Sequence, residues 1–467
     1  MGSPELQDRT FVLVTGANSG LGFSICCRLV DEFLTTRPPS QQLTIIYTTR
    51  GSQKGNSTLL RLQEHLRSSN NGRSEAATSR VTFVSEHVDL TDLVSVRALS
   101  RRLLQTLPKL DAIVLNAGMG GWTGIDWPRA IWECTTDLLH AVSWPSFKIG
   151  PVGVVTKRQT AGLLKDKKEI DEPRLGAIFC ANVFGHYMLA HNVVPLLRRS
   201  GAPNAYGPGR IIWVSSLEAT IKLFDPEDLQ GLRTAKAYES SKALTDILAL
   251  TSNLPSTAPW VNSFLSVDDE SSSSSPSSSS TEQEEHEHEG KGNKINIYLT
   301  HPGICATSII PLPLPLVYLM LAAFWLARML GSPWHTLSTY KAACAPVWLS
   351  LSPQHVLDDA EAPYIHHSGV SGGGRAKWGS STDRLGREFP ASTEIDGWGH
   401  GGVVGPAVVE ADRRRRRKRG ATDLTAEERE RFEELGRRCW RAMEELRARW
   451  ERILDEAEGL SPSGSKN

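Results

Sequence analysis

The sequence predicts an α/β fold built on a doubly wound parallel sheet. Three features carry that expectation. Short β-branched runs stop at turns rich in glycine, asparagine and serine; apolar segments of helical period separate those runs; and the first turn is glycine-rich and opens straight into a helix. The 467 residues make room for about three average domains. With 40% of them hydrophobic, the chain can bury a large core, which excludes wholesale disorder.

Taken in order, Phe11–Val14 reads as a buried strand ending at Thr15-Gly16, and Leu21, Ile25, Leu29 and Phe33 recur at helical spacing behind it. Leu43–Tyr47 is a second strand, closed by Thr48-Thr49-Arg50. Polar sequence leads to strand-like Val81–Val84 and Val88–Leu90, followed by a helix from about Thr91 to Leu107. Asp111–Leu115 is a further strand, stopping at Asn116-Ala117-Gly118. The stretch 119–175 is long for a strand-to-helix connection. It carries Trp122, Trp127, Trp132, Trp144 and Phe147, either to line a bulky apolar site or to cover the sheet edge. A helix over Ala177–Leu197, a strand over Arg210–Val214 and a helix near Ala237–Thr251 resume the alternation. Residues 261–294 are serine runs followed by an acidic stretch containing His286-x-His288, which reads as a flexible, solvated surface loop. Lys294–Thr300 returns to strand.

Beyond Pro302-Gly303 the character changes. Ile309–Ala327 is nearly all apolar, but Pro311, Pro313 and Pro315 leave only Leu316–Ala327 unbroken, too short to span a bilayer. The segment is expected to lie in a membrane interface or cover a lipid site, with Trp325 and Trp334 suited to the headgroup boundary, or else to be a core helix. From Gly369 the chain is glycine-rich and then charged. The basic run Arg413–Arg419 fits an anionic membrane surface, a nuclear address or a plain solvated tail. Thr425-x-x-Glu428 is a capping box. The helix behind it carries Phe432, Leu435, Cys439, Met443, Leu446, Trp450 and Leu454 as a docking face, for the body of the protein or for a partner. The expected division is a nucleotide-binding domain over 1–307, a hydrophobic substrate- or membrane-associating segment over 308–368 and a Gly-rich, basic and helical extension over 369–467.

Lys+Arg and Asp+Glu are 52 each, which argues against a nucleic-acid binder working through bulk charge. The 7 cysteines are scattered without a Cys-x-x-Cys pair, so neither a disulfide framework nor a zinc site is indicated. The polar N-terminus carries no secretory pattern, and a reducing compartment fits.

Chemistry concentrates at four places. In Thr15-Gly16-Ala17-Asn18-Ser19-Gly20-Leu21-Gly22, Gly16 permits the tight turn, Gly20 lets backbone approach a pyrophosphate and Gly22 lets the helix pack on the strand. That makes the sheet Rossmann-like. The second strand ends in Arg50 with Thr49 beside it, where an acid would take the ribose 2′-hydroxyl of NAD; an arginine can instead pair with a 2′-phosphate, the alternative being a plain surface arginine, and NADPH is the expected cofactor. Tyr238 and Lys242 stand four apart on one helix face, where an ammonium favours the phenolate. Arg210–Val214 delivers Ser215-Ser216 just before them, and Asn182, a poor helix former, sits mid-helix.

Thr15-Gly16-x-x-x-Gly20-x-Gly22, Asp89, Asn116-Ala117-Gly118, Asn182, Ser216, Tyr238/Lys242 and Pro302-Gly303, in that order, resemble the short-chain dehydrogenases/reductases over roughly residues 10–250 and 294–307. A narrower resemblance, to the fungal 3-keto sterol reductases of ergosterol synthesis, rests on five segments. They are Tyr238-Glu-Ser-Ser-Lys242-Ala-Leu-Thr-Asp, His301-Pro-Gly-Ile-Cys-Ala-Thr307, Gly331-Ser-Pro-Trp-His-Thr336, Ala345-Pro-Val-Trp-Leu349 and Lys377-Trp-Gly-Ser380 with Asp383-Arg384. The loop at 261–294 and the run at 413–419 depart from it.

The resemblance implies the roles. Tyr238 donates a proton to the carbonyl oxygen, Lys242 lowers its pKa and holds the nicotinamide ribose, and Ser216, favoured over Ser215 by strand register, bonds the substrate oxygen. Asn182 organises a relay water; Asp89 contacts adenine, Asn116 the adenosine side and Thr307 the nicotinamide amide. Gly16, Asn18, Ser19, Gly20, Leu21, Gly22, Thr49 and Arg50 complete the nucleotide set, and no metal is required. The implied reaction is NADPH-dependent reduction of the 3-ketone of a C-4-demethylated sterol to the 3β-alcohol. Its setting is the cytosolic face of the endoplasmic reticulum membrane and lipid droplets, beside the other sterol C-4 demethylation enzymes and their membrane scaffold. The alternatives are a reductase of another lipid carbonyl, or a largely non-catalytic scaffold or chaperone of sterol-synthesis enzymes, whose sign would be a broken Tyr/Lys/Ser set.

Overall fold

In the computed structural model the described residues are 8–68, 75–163, 170–201, 207–266, 295–306, 313–366, 375–418 and 420–460. The main sheet has eight strands: β1 (Arg9–Val14), β2 (Gln42–Thr49), β3 (Val81–His87), β4 (Ala112–Leu115), β5 (Arg210–Val214), β6 (Asn296–His301), β7 (Lys377–Thr382) and β8 (Glu388–Thr393). They lie in the order β8-β7-β6-β5-β4-β1-β2-β3. Every pair is parallel except β7–β8, which is antiparallel and closes one edge. The order reverses between β1 and β4, the switch point at which doubly wound sheets open a crevice beyond their carboxyl ends. The sheet thus draws strands from both sides of the boundary expected at 307/308.

Strand alternation divides the core in two. Val12, Val14, Ile45, Tyr47, Ile212 and Val214 face one layer. Leu13, Ile46, Ile113, Leu115, Ile211 and Trp213 face the other. On the first side pack α1 (Gly20–Thr36) and α2 (Ser52–Ser68); on the second, α3 (Leu93–Thr106). The sequence reading leaves α2 out because its inward positions are Gly55, Thr58, Leu62 and Leu66, two of them not apolar. β3 ends at His87, so Val88–Leu90 is not strand: it is the turn that precedes the Asp92 cap of α3, whose carboxylate accepts from Val94 and Ser95 N–H.

The 119–175 insertion folds into a two-strand hairpin, Gly124–Ile125 against Lys148–Ile149, with α4 (Trp127–Thr136) and α5 (Leu138–Ser143) between. Helical chain resumes at Ala177–Phe179, passes through a π-turn at Cys180–Phe184 and continues as α6 (Gly185–Asn192). Next come α7 (Ala237–Thr251) and α8 (Ala258–Leu265). α8 corrects the loop expected over 261–294: Val261 and Phe264 are buried in the core because apolar residues continue past Pro259 before the serine runs begin. The rest of that loop, with His286 and His288, lies outside the described residues.

α9 (Leu314–Met329) is followed by α10 (Cys344–Leu351) and α11 (Gln354–His366) on the first face. Among the described residues no helix is long and apolar enough to cross a membrane. Trp334 is buried against Leu217 and Ala391 and is not a headgroup residue. Its indole meets His301 edge-on with centroids 5.0 Å apart. Trp325 is half exposed.

The capping box forms as expected and starts α12 (Ala426–Glu458), 33 residues long. Its apolar stripe is taken up by the body of the protein. Phe432, Cys439, Met443, Trp450 and Leu454 are buried in the second core, and Trp440 Nε1 donates to Leu248 O of α7 at 3.1 Å. A Cβ at Gly436 would lie 2.6 Å from Thr251, so glycine permits the close helix–helix approach. The basic run before it is largely paired within the domain: Arg416 with Asp412, Arg417 with Glu394 and Asp423, Lys418 with Asp396. Arg419 lies outside the described residues.

Candidate active site

A cavity of about 680 Å³ opens beyond the carboxyl ends of β1, β2, β4, β5 and β6. Its floor is the glycine turn. Gly16 and Gly20 have positive φ of 70° and 57°. A Cβ on Gly22 would meet Gly16 O at 2.3 Å, whereas one at Gly20 would meet nothing within 4 Å. Gly22 is therefore required for packing and Gly20 faces open space, the cradle that a dinucleotide pyrophosphate needs. Thr15, at the end of β1, locks this turn to the next strand: its Oγ1 accepts from Asn116 and Ala117 N–H at 2.9 and 3.0 Å, and Asn116 Nδ2 donates to Thr15 O at 2.9 Å.

Asn18, Ser19, Leu21, Thr49, Arg50, Asp89 and Asn116 all border the same cavity. Thr49 is buried with its hydroxyl donating to Gly51 O at 3.0 Å, which leaves exposed Arg50 as the side chain at the rim. Asp89 Oδ1 accepts from Thr91 N–H and hydroxyl at 2.9 and 2.7 Å. Thr307 lies outside the described residues. The residues present fit a nicotinamide dinucleotide: glycine cradle, helix N-terminus and carboxamide at the switch point.

At the inner end Ser216, Tyr238 and Lys242 converge. Ser216 and Tyr238 border the cavity together, and the serine hydroxyl accepts from Glu218 N–H at 3.2 Å. Ser215 turns away: its hydroxyl donates to Asp246 Oδ1 at 2.5 Å. Tyr238 is held above its ordinary pKa by burial first and by the charge of Glu218 second, with Ser216 opposing. It is therefore a phenol at neutrality, the form that donates a proton. Lys242 Nζ lies 5.9 Å from the Tyr238 ring centroid and donates to Val214 O at 2.8 Å. Burial lowers its pKa to about 8, Asp246 opposing and Lys377 adding to the fall.

Asn182, in the π-turn, accepts from Met119 N–H at 2.8 Å, and its Nδ2 donates to Met119 O at 3.1 Å and Ser241 Oγ at 3.0 Å. Its amide clamps the loop after β4 to α7. His186 bridges Thr15 Oγ1 at 2.9 Å and Asn182 O at 3.3 Å. Burial takes its pKa down to about 3, so it is neutral.

The insertion supplies the remaining wall. Trp122, Trp127, Ala130 and Phe147 line the cavity, while Trp132 stays exposed and Trp144 packs near Trp334. Lys148 of the insertion pairs with Glu218, and its ammonium sits 3.7 Å over the Trp122 ring centroid. Burial raises the Glu218 pKa, with Lys148 opposing. α9 closes the cavity with Leu316, Met320, Ala323 and Phe324. The sequence reading assigns no role to Lys148, Glu218, Asp246, Lys377 or His186; Asp246 and Lys377 stand in recognised segments, and only the fold shows what they touch.

Fold and site together define a short-chain dehydrogenase/reductase. Comparison with known proteins narrows this. The chain is 66% identical over 462 residues to a 3-keto-steroid reductase, erg27, of Aspergillus fumigatus, covering 98% of each chain. It is 38% identical to the enzyme of that name from Gibberella zeae, over 96% of this chain and 95% of that one. With the Saccharomyces cerevisiae enzyme of the same name the identity is 30%, over 84% and 90%. The chain belongs to the 3-keto-steroid reductase family. No protein-family model matches it. Among solved structures, a 7 alpha-hydroxysteroid dehydrogenase complexed with NADH and 7-oxo glycochenodeoxycholic acid aligns with TM-score 0.38 and 14% identity, over 75% of this chain and 91% of that one.

Proposed function

We propose that this chain reduces the 3-keto group of a C-4-demethylated sterol to the 3β-alcohol with NADPH, a step of sterol C-4 demethylation in ergosterol biosynthesis. The observation that carries the reading is the convergence of Ser216, Tyr238 and Lys242 at the inner end of an otherwise largely apolar cavity. The chemistry a bound NADPH supplies is one hydride to carbon 3. As the carbonyl π electrons move onto oxygen, Ser216 donates a hydrogen bond to it and Tyr238 gives up its phenolic proton, leaving an alcohol and a phenolate. Lys242, cationic below about pH 8, stabilises that phenolate and is the residue to hold the nicotinamide ribose. Proton return from solvent restores Tyr238. The NADPH preference rests on Arg50 at the end of β2, where no carboxylate repels a 2′-phosphate.

A membrane surface accompanies the reading. Leu314, Tyr318, Leu319, Trp325 and Leu330 of the α9 region face outward while the same helix covers the cavity, and Ile131 and Trp132 of α4 are exposed as well. An apolar face of that kind binds a lipid interface and lets a poorly soluble ketone pass from bilayer to site. In this reading the surface is the cytosolic side of the endoplasmic reticulum membrane or of a lipid droplet. The neighbours are the other C-4 demethylation enzymes and their scaffold. The α12 stripe is not offered to them, being packed against α7.

The test is full-length protein on phosphatidylcholine vesicles carrying the 3-keto sterol, with NADPH or NADH, and the product read by mass spectrometry. The expected result is 3β-alcohol with NADPH and little with NADH. Nucleotide binding without turnover would overturn the reading.

A further inference from the structure

Two buried lysines bond backbone carbonyls at the end of β5. Lys242 donates to Val214 O at 2.8 Å; Lys377, on β7, donates to Ser216 O at 2.7 Å. Between them stands Asp246, one helical turn beyond Lys242. Its Oδ2 accepts from Lys377 at 2.6 Å and its Oδ1 from Ser215 at 2.5 Å. Ser215 also donates to Lys242 O at 3.3 Å. Lys377 and Asp246 are 1% and 2% exposed and, unlike Lys242, do not line the cavity. A buried ion pair of this kind is a costly way to gain stability, since apolar residues of the same volume pack as well. Its placement against the carbonyl of Ser216 and beside Lys242 gives it another use.

We propose that Asp246 and Lys377 are positioning residues for the reduction: through the bonds of Asp246 to Ser215 and of Lys377 to the Ser216 carbonyl they fix the Val214–Ser216 strand end that presents Ser216 to the substrate oxygen. The inference rests on the reductase reading above. The groups facing Lys242 are Tyr238 and Asp246 on its own helix, Lys377 from β7 and neutral His186 from α6. Lys377 is in turn faced by Lys418. Asp246 pulls the Lys242 pKa up more strongly than Lys377 pushes it down, and burial outweighs both. Removing the carboxylate therefore lowers the pH at which Lys242 loses its proton. Removing Lys377 leaves Asp246 to pair with Lys242 alone and raises it.

The experiment is the pH profile of kcat for vesicle-borne 3-keto sterol in wild type, Asp246→Asn, Lys377→Met and Lys377→Arg. Alongside it, the Lys242 Cε resonance is titrated in nucleotide-free, 13C-lysine protein, identified by its loss in Lys242→Ala. Both readouts should put the wild-type transition near pH 8. Asp246→Asn moves it down and Lys377→Met up, each by about one unit, the scale on which a nearby charge acts. Lys377→Arg keeps the wild-type midpoint. Should Lys377→Met fail to fold, Asp246→Asn alone decides, because its amide still accepts from Ser215. Folded variants whose kcat and midpoints both match wild type would reduce the triad to scaffolding and overturn the proposal. Absence of turnover in the wild type would instead overturn the reductase reading, leaving the resonance to decide on the triad.

Discussion

Trp122 and Tyr238 pack ring against ring, centroids 4.6 Å apart and planes inclined at 60°. The first belongs to the 119–175 insertion and the second to α7, so the insertion walls the candidate site. Lys148 completes the contact, its ammonium 5.7 Å from the Tyr238 ring centroid and paired with Glu218. Lys236 donates to Ser146 O and Lys148 O at 3.0 and 3.1 Å and fastens the hairpin to the start of α7.

Lys148→Met removes the counter-ion of Glu218 and the cation over Trp122. Because a small misplacement of a proton donor is costly, kcat should fall by about 10-fold or more. Affinity for NADPH should not change, since Lys148 lies on the substrate side. Steady-state kinetics and nucleotide titration of the same preparation check both halves.

Arg50→Ser removes the cation at the end of β2. A charge-assisted hydrogen bond of about 1.5–3 kcal/mol corresponds to roughly a 10- to 100-fold loss of NADPH affinity, with NADH affinity unaffected. Parallel binding titrations with the two nucleotides measure the ratio.

His65, on α2, bonds Asp31 of α1 at 3.0 Å, and that bond raises its pKa to about 10. A folded pKa above the unfolded value of about 6.5 means the pair stabilises the protein fully below that value. The contribution is lost as pH rises toward 10. Thermal unfolding of His65→Asn against wild type should therefore differ most at pH 6 and converge near pH 10.

Trp440 fills the seam between α7 and α12, in edge contact with Phe264 at 5.6 Å and bonded to Leu248 O. Trp440→Ala should cost about 3–5 kcal/mol of stability, read by chemical denaturation, while folded protein keeps its KM.

Much of this is legible in the sequence, and the rest fails for identifiable reasons. Tyr238 and Lys242 share a helix face by spacing and Ser216 ends a β-branched run, but it is their place in the ordered family motifs that singles them out. The glycine turn and the capping box hold on local pattern. Asp246 and Lys377 are 131 residues apart, and Lys148 and Glu218 are 70. Such pairs exist only once β7 joins the sheet and the hairpin folds back. α2 hides because glycine and threonine occupy half of its buried face. Trp334 misleads because an apolar neighbourhood in sequence resembles a membrane boundary until β6, β7 and β8 surround it.

The most direct measurement is Tyr238→Phe on vesicles carrying the 3-keto sterol, with turnover and NADPH binding read on the same protein. Loss of the Tyr238 phenol should lower turnover by about 10²- to 10⁴-fold with NADPH affinity retained. Turnover within a few fold of wild type would mean that another group protonates the oxygen, and the account of this site would be wrong.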